Sequence, residues 1–298
     1  MAVSTLRAKS KDIRARDGVS SAQRDGLSPG EAELLALLAD KPLLSGEQIV
    51  ALRTSSAAWT WRLLNHLEKS RLLRYSVPPG EVNVSAGRYY YLTGEGIRLA
   101  AKREGTRPGR YVREHWLSPS RLTMLFNSLD HTTASRQFFV DLMVQARKRR
   151  NEALEVWHDE AQAARRYRWH GDVRLIRPDG YGEYRKDGLF PFFLEWDSGN
   201  SGIKRHRRKL RAYHDYWAAT GYQALPAILM VTTPDRVRQL NRAAVDVGRH
   251  RRGHLLPLLI AMNTEIKSCG AFGCRWWDVR AQTVITLEQV PDLWIRIS

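Results

Sequence analysis

The chain has 298 residues, 43% of them hydrophobic, which is enough for two domains with cores of their own. Lysine and arginine number 48 against 31 aspartates and glutamates; the resulting formal charge of +17 exceeds what solubility requires and points to a polyanionic partner. No long apolar run or basic amphipathic anchor stands out, so no membrane partner is expected, and the first 26 residues lack the apolar core of a secretory signal.

Residues 1–27 read as a disordered basic tail. The two cysteines, Cys269 and Cys274 in "CGAFGC", have no second Cys or His pair nearby, so they are read as reduced thiols around a Gly-rich turn in a cytoplasmic protein.

Residues 28–107 form the first expected domain. Ser28, Pro29 and Glu31 make a helix start ahead of Leu34, Leu35, Leu37 and Leu38. Ser45 and Gln48 repeat the device for a short helix through Ile49, Val50 and Leu52. A third helix over about 56–70 keeps Trp61, Leu64 and Leu67 inward and leaves Thr60, Arg62, Asn65 and Lys69 outward. "RLLRYSV" and "RYYYLT" are strands joined by the Pro/Gly-rich "PPGEVNVSAG", and "GEGIRLAAKREG" resumes a helix. This is the order of a winged helix, whose third helix reads the major groove of double-stranded DNA. Thr60, Arg62, Asn65 and Lys69 then become DNA-binding candidates, with Arg88 on a phosphate. Winged helices also dock proteins, which is the competing use.

From Ser118 to the end the pattern changes. Two helices broken near Asp130–His131 end in the basic run Arg147–Arg150. His131 is a candidate ligand or, more simply, a capping residue. Then strand "ALEVWHDE", a strand entering a turn in "DVRLIRPDGYGEYR", buried strand "GLFPFFLEWD", helix "GIKRHRRKLRAYHDYWAAT", strand "LPAILMVT", helix "PDRVRQLNRAAVDV" and strand "LLPLLIAM" follow, the alternation of an α/β layer with a mixed sheet.

Glu195 and Asp197 lie two apart and face one side of their strand. Asp179 in "RPDG" sits sixteen residues upstream of Glu195, the spacing of a hairpin that would bring it alongside. Three such carboxylates suit Mg²⁺ or Mn²⁺, an ion able to activate water against a phosphodiester. Lys209, Tyr213 and Tyr216 share a helix stripe beside Leu210 and Trp217, so Lys209 can lean toward the acids. Arg205, Arg207, Arg208 and Arg211 read as phosphate contacts. The plain alternatives are an ordinary turn at "PDG", a loop start at the acidic pair and a solvated basic helix.

The turn "PDG", the strand "FFLEWD" and a helix with Lys209 and Tyr213 resemble the PD-(D/E)xK nuclease pattern. More specifically, His131, Pro178–Asp179, Glu195–Trp196–Asp197–Ser198–Gly199, Lys209 and Tyr213 resemble the replication-relaxation family of plasmids and integrative elements, over most of residues 28–250. The resemblance implies an α/β fold, α+β overall, with a winged helix before a restriction-endonuclease-like mixed-sheet domain at 118–298. It implies Asp179, Glu195 and Asp197 as metal ligands and a role in mobilisation or replication. One branch of that family is similar to mobilisation relaxases that lack a histidine-hydrophobe-histidine motif, which this chain lacks too. Where the pattern wants a lysine two residues after Glu195 the chain has Asp197, so the lysine is Lys209 or Lys204, or catalysis is lost. Glu160, Lys204 and Tyr213 are accessory candidates. The expected activity is a metal-dependent DNA nicking endonuclease, and the rival is a non-catalytic, sequence-specific replication accessory or regulator. Other mobile-element proteins and a second copy of the chain are further candidate partners.

Overall fold

The computed structural model describes residues 26–78, 87–186, 188–221, 225–251 and 253–289. All but the last two residues of the expected tail, and most of the expected wing loop, lie outside them. Among the described residues no helix is long and apolar enough to cross a membrane.

The first unit begins with α1 (Pro29–Asp40), where Ser28 Oγ accepts the Glu31 N–H and the Glu31 carboxylate accepts the Ser28 N–H at 2.7 Å. After β1 (Leu44–Ser45), α2 (Gly46–Leu52) has the same reciprocal cap from Ser45 and Gln48. α3 (Ala57–Lys69), β2 (Leu73–Ser76), β3 (Tyr89–Leu92) and α4 (Gly94–Arg103) complete it. The sheet runs in the order β1-β3-β2, with Leu44 opposite Tyr90 and Tyr90 opposite Tyr75. Three helices with one short strand between the first two, then a two-stranded antiparallel pair, is winged-helix connectivity. Its core is Leu34, Leu35, Leu38, Ile49, Leu64, Leu67 and Tyr90, all essentially without exposure.

Next come α5 (Pro108–Glu114), α6 (Pro119–Asn127) and α7 (Leu129–Arg147). The break between the last two falls at Ser128, slightly before the expected Asp130–His131. α7 belongs to both units. Val140 enters the core of the first, while Phe138, Phe139 and Leu142 enter that of the second. Gln48 donates to Thr133 O at 3.2 Å, and Arg147 and Arg136 donate to the carbonyls of Leu52 and Pro42. These bonds satisfy backbone groups that would otherwise be orphaned where the units meet.

The second unit contains β4 (Ala153–Asp159), α8 (Glu160–Ala163), β5 (Arg165–Trp169), β6 (Asp172–Ile176), β7 (Gly180–Arg185), β8 (Leu189–Trp196), α9 (Ile203–Ala219), β9 (Ala227–Thr232), α10 (Val237–Arg249), β10 (Leu258–Met262), α11 (Asn263–Gly273), β11 (Trp276–Asp278) and β12 (Thr283–Ile285). Seven strands form one mixed sheet, β12-β11-β10-β9-β8-β7-β4, in which the neighbours β8–β9 and β9–β10 pair in parallel and the others antiparallel. The stretch 172–185, read as a strand entering a turn, is a strand, a bend at Asp179 and a second strand. β6 pairs with β5 in a separate hairpin, and Pro178, with no N–H to give, separates it from β7. β8 is buried on both faces: Phe192, Leu194 and Trp196 pack toward α7 and α11, Phe193 toward α9 and α10. Cys269 is exposed and Cys274 buried, both free thiols, with Gly270 at φ 71° interrupting α11 between them.

Candidate functional site

The period of β8 that sends Phe193 toward α9 sends Glu195 the same way, where it is 3% exposed. β7 lies antiparallel beside it, Gly180 opposite Leu194, which sets Asp179 against the end of β8. Asp179 is fixed there by two backbone bonds, its N–H donating to Leu194 O at 2.9 Å and its Oδ2 accepting the Trp196 N–H at 2.7 Å. From α9, Lys209 Nζ contacts Glu195 Oε2 and lies 3.6 Å from Asp179 Oδ1. Four residues on, Tyr213 donates its hydroxyl to Glu195 Oε1 at 2.5 Å. His131 Nε2 approaches Asp179 Oδ1 to 3.4 Å from α7. Thus the sequence candidates Asp179, Glu195, Lys209, Tyr213 and His131 meet in one place.

Their charges are strongly coupled. Burial pushes the Glu195 carboxyl up to about 7; the Asp179 charge adds to this, against Lys209 and Tyr213. Burial alone would lower Lys209, but Glu195 and Asp179 more than offset it and hold the ammonium above the usual lysine range. Asp179 stays below the ordinary aspartate value, because Lys209, His131 and the Trp196 N–H outweigh its burial. The bond to Asp179 raises His131 in turn. Tyr213 is 1% exposed, and burial next to Glu195 keeps its hydroxyl protonated.

Asp197 does not join this set. Its Oδ2 accepts from Thr232 Oγ1 at 2.9 Å and Arg236 Nη1 at 3.1 Å, and His206 Nε2 lies 3.4 Å away. Burial opposes ionisation, yet His206, Thr232 and Arg236 hold the carboxyl well below the usual range. The expectation of three converging carboxylates is therefore corrected to two. Asp197 follows the last residue of β8, and its backbone N–H donates to Val231 O, which carries it toward the end of β9 and the residues that capture it. Among the described residues no group of three His, Cys, Asp or Glu side chains is arranged to hold a metal ion.

The remaining candidates are dispersed. Glu160, the first residue of α8, is half-buried within electrostatic reach of Asp179, Lys209 and His131, and burial raises its carboxyl. Lys204, Arg205 and Arg208 are exposed on α9, and Lys204 makes no ion pair with the acids. Arg62, Asn65 and Lys69 are exposed on α3 as expected. Thr60 is not: it is fully buried and bonded to Ser55 at 3.1 Å, because the inward stripe of α3 runs through Thr60, Leu63, Leu64 and Leu67. Arg88 lies over the Tyr75 ring at 4.3 Å and 3.8 Å from Glu68, turned onto its own sheet. Sequence reasoning missed Trp59, 44% exposed beside Arg62 on α3, and the Asp197 partners His206, Thr232 and Arg236. His206, three residues before Lys209 on one helix face, carried a signal; Thr232 and Arg236 carried none.

Asp179, Glu160 and His131 also line a cavity of about 690 Å³. Its walls include Trp116, Met124, Phe139 and Trp157, and four arginines, Arg121, Arg136, Arg166 and Arg177. Arg121 and Arg136 are directed at Asp159; Arg166 and Arg177 are exposed and make no side-chain hydrogen bond or ion pair among the described residues. A cavity lined by acids and arginines together can take an anionic ligand to the acids.

No curated protein matches the chain. Among solved structures, a MepR–DNA complex from S. aureus is 17% identical with a TM-score of 0.26, over 37% of this chain and 86% of that one. A MarR family transcription regulator is 18% identical with the same TM-score, over 41% and 78% respectively. The replication-relaxation family model matches residues 35–228, a span that takes in nearly all of the winged-helix unit together with Asp179, Glu195, Lys209 and Tyr213; the chain belongs to the replication-relaxation family.

Proposed function

We propose that the chain is a DNA-binding protein of a plasmid or other mobile element that nicks DNA in replication or mobilisation. Membership of the replication-relaxation family supports a DNA-related role of that kind. The observation that carries the catalytic part is the Asp179–Glu195 pair joined by Lys209, which meets an arginine-lined cavity through Asp179.

The α3 face with Arg62, Asn65 and Lys69 meets the duplex, and Arg205 and Arg208 hold phosphates beyond it. Asp179 and Glu195 fit Mg²⁺ or Mn²⁺, since such ions are commonly held by one or two carboxylates completed by substrate phosphate and water. Asp197 is unsuited, its oxygens being already engaged. A divalent ion supplies polarisation of the phosphodiester and acidification of an attacking water. Lys209 offsets charge that develops on the phosphate, His131 keeps Asp179 oriented and ionised, and Tyr213 fixes Glu195. Buried as it is, Tyr213 serves as a positioning residue and not as a nucleophile toward DNA.

A second reading is a binder without chemistry. Lys209 sits between the two carboxylates and pairs with both, as a permanent ionic lock would. Supercoiled DNA carrying the region around the protein's own gene separates the two. Relaxation that needs Mg²⁺ or Mn²⁺, stops with chelator and is lost in Glu195→Gln supports the nuclease; tight binding with intact plasmid under every metal supports the lock.

A further inference from the structure

Trp116 is placed oddly for a bulky aromatic. It stands just past the C-terminal end of α5 in the left-handed region, φ 55°, where glycine is the usual residue, and it is half exposed. Arg121 holds that backbone by donating to the carbonyls of His115 at 3.3 Å and Trp116 at 2.9 Å. Met124 on α6 is also half exposed. Both line the same cavity, which Asp179 and His131 also line. At about 690 Å³ it lies in the range, roughly 300–1,000 Å³, of pockets that take small organic ligands. Such a space admits one base with its sugar and phosphate, not a stacked duplex.

We infer that this cavity receives a single unpaired nucleotide of the DNA, its base stacked on Trp116 beside Met124 and its phosphates met by Arg166 and Arg177. The inference rests on the DNA-nicking reading and adds to it the substrate class: DNA with a base outside the stack. An aromatic face accepts any base, and exposed arginines outside the ion pairs of the fold supply charge for the backbone. A strained, solvent-facing tryptophan in a cavity that Asp179 also lines gains a use in this way, and the strain is kept because Arg121 ties the segment down.

The test is equilibrium binding in chelator, where no cleavage intervenes. A paired duplex is compared with the same duplex carrying one unpaired 2-aminopurine, with the fluorescence of that base as second readout. The unpaired form should bind about tenfold or more tightly, with the 2-aminopurine quenched on binding. Trp116→Ala should abolish both the preference and the quench while leaving paired-duplex affinity unchanged, and Trp116→Phe should restore them. Equal affinity for the two DNAs, or a preference that survives Trp116→Ala, overturns the inference but leaves the winged-helix reading standing. Failure to bind either DNA overturns both.

Discussion

Glu195 and Asp197 stand two residues apart at the end of one strand, are both buried and are both met by α9, Glu195 by Lys209 and Tyr213 and Asp197 by His206. Their surroundings then part company. Asp197 is ringed by donors from the end of β9 and the turn that follows, and its charge is settled within the fold. Glu195 shares one ammonium with Asp179, another carboxylate, so the group carries an excess of acid whose outer member reaches a cavity. A saturated carboxylate is a fastening, whereas an under-compensated pair is a place where a cation and a phosphate can enter.

The comparison is broken most severely by Glu195→Gln. This near-isosteric change should reduce plasmid nicking by a factor of about 10²–10⁴, while urea denaturation finds most of the stability retained, since Lys209 keeps Asp179. Asp197→Ala should do the reverse. Leaving Arg236 and His206 without their carboxylate should cost about 3–5 kcal/mol in urea denaturation, with nicking per folded molecule little changed.

The buried His214 of α9 acts as a control on both. His214, 4% exposed, is lowered to about 4 by burial and by Arg251 and His254. The unfolded chain takes up this proton near pH 6.5 and the folded chain only near 4, so stability falls as pH drops through that window, by about 3 kcal/mol in full. His214→Asn should remove that part of the acid dependence, read as the difference between urea curves of the two proteins at pH 7 and pH 4.5. The smallest effect is Thr232→Val, which deletes one hydrogen bond to Asp197. It should cost about 1.5–3 kcal/mol by the same denaturation and leave nicking unaltered.

Much of this arrangement is legible in the amino-acid sequence. The capping pairs Ser28–Glu31 and Ser45–Gln48 mark two helix starts, and both are made. The spacing from Asp179 to Glu195 announces a hairpin, and the stripe of Lys209 and Tyr213 announces which face meets the acids. What escapes depends on partners far along the chain. Asp197 shares its strand face with Glu195, but Thr232 and Arg236 arrive from the end of the next strand and beyond it. Polarity alone places Thr60 outward, whereas its hydroxyl finds Ser55 and its methyl joins the core stripe. The β5–β6 hairpin and the strands β11 and β12 are short and polar at alternate places, so their pattern is weak against neighbouring loops. The cavity at Trp116 has no sequence signature, being made where α6, α7, β4 and α8 meet.

The most direct test of the division between the two acids is Mn²⁺ binding followed by electron paramagnetic resonance, with and without target DNA bearing a cleavage-resistant phosphorothioate. The account predicts that wild-type protein with DNA removes one equivalent of free Mn²⁺, that Asp179→Asn does not, and that Asp197→Asn behaves as wild type. Free Mn²⁺ that is the same for wild type and Asp179→Asn, with DNA fully bound to both, would contradict it and leave the acidic pair a structural lock.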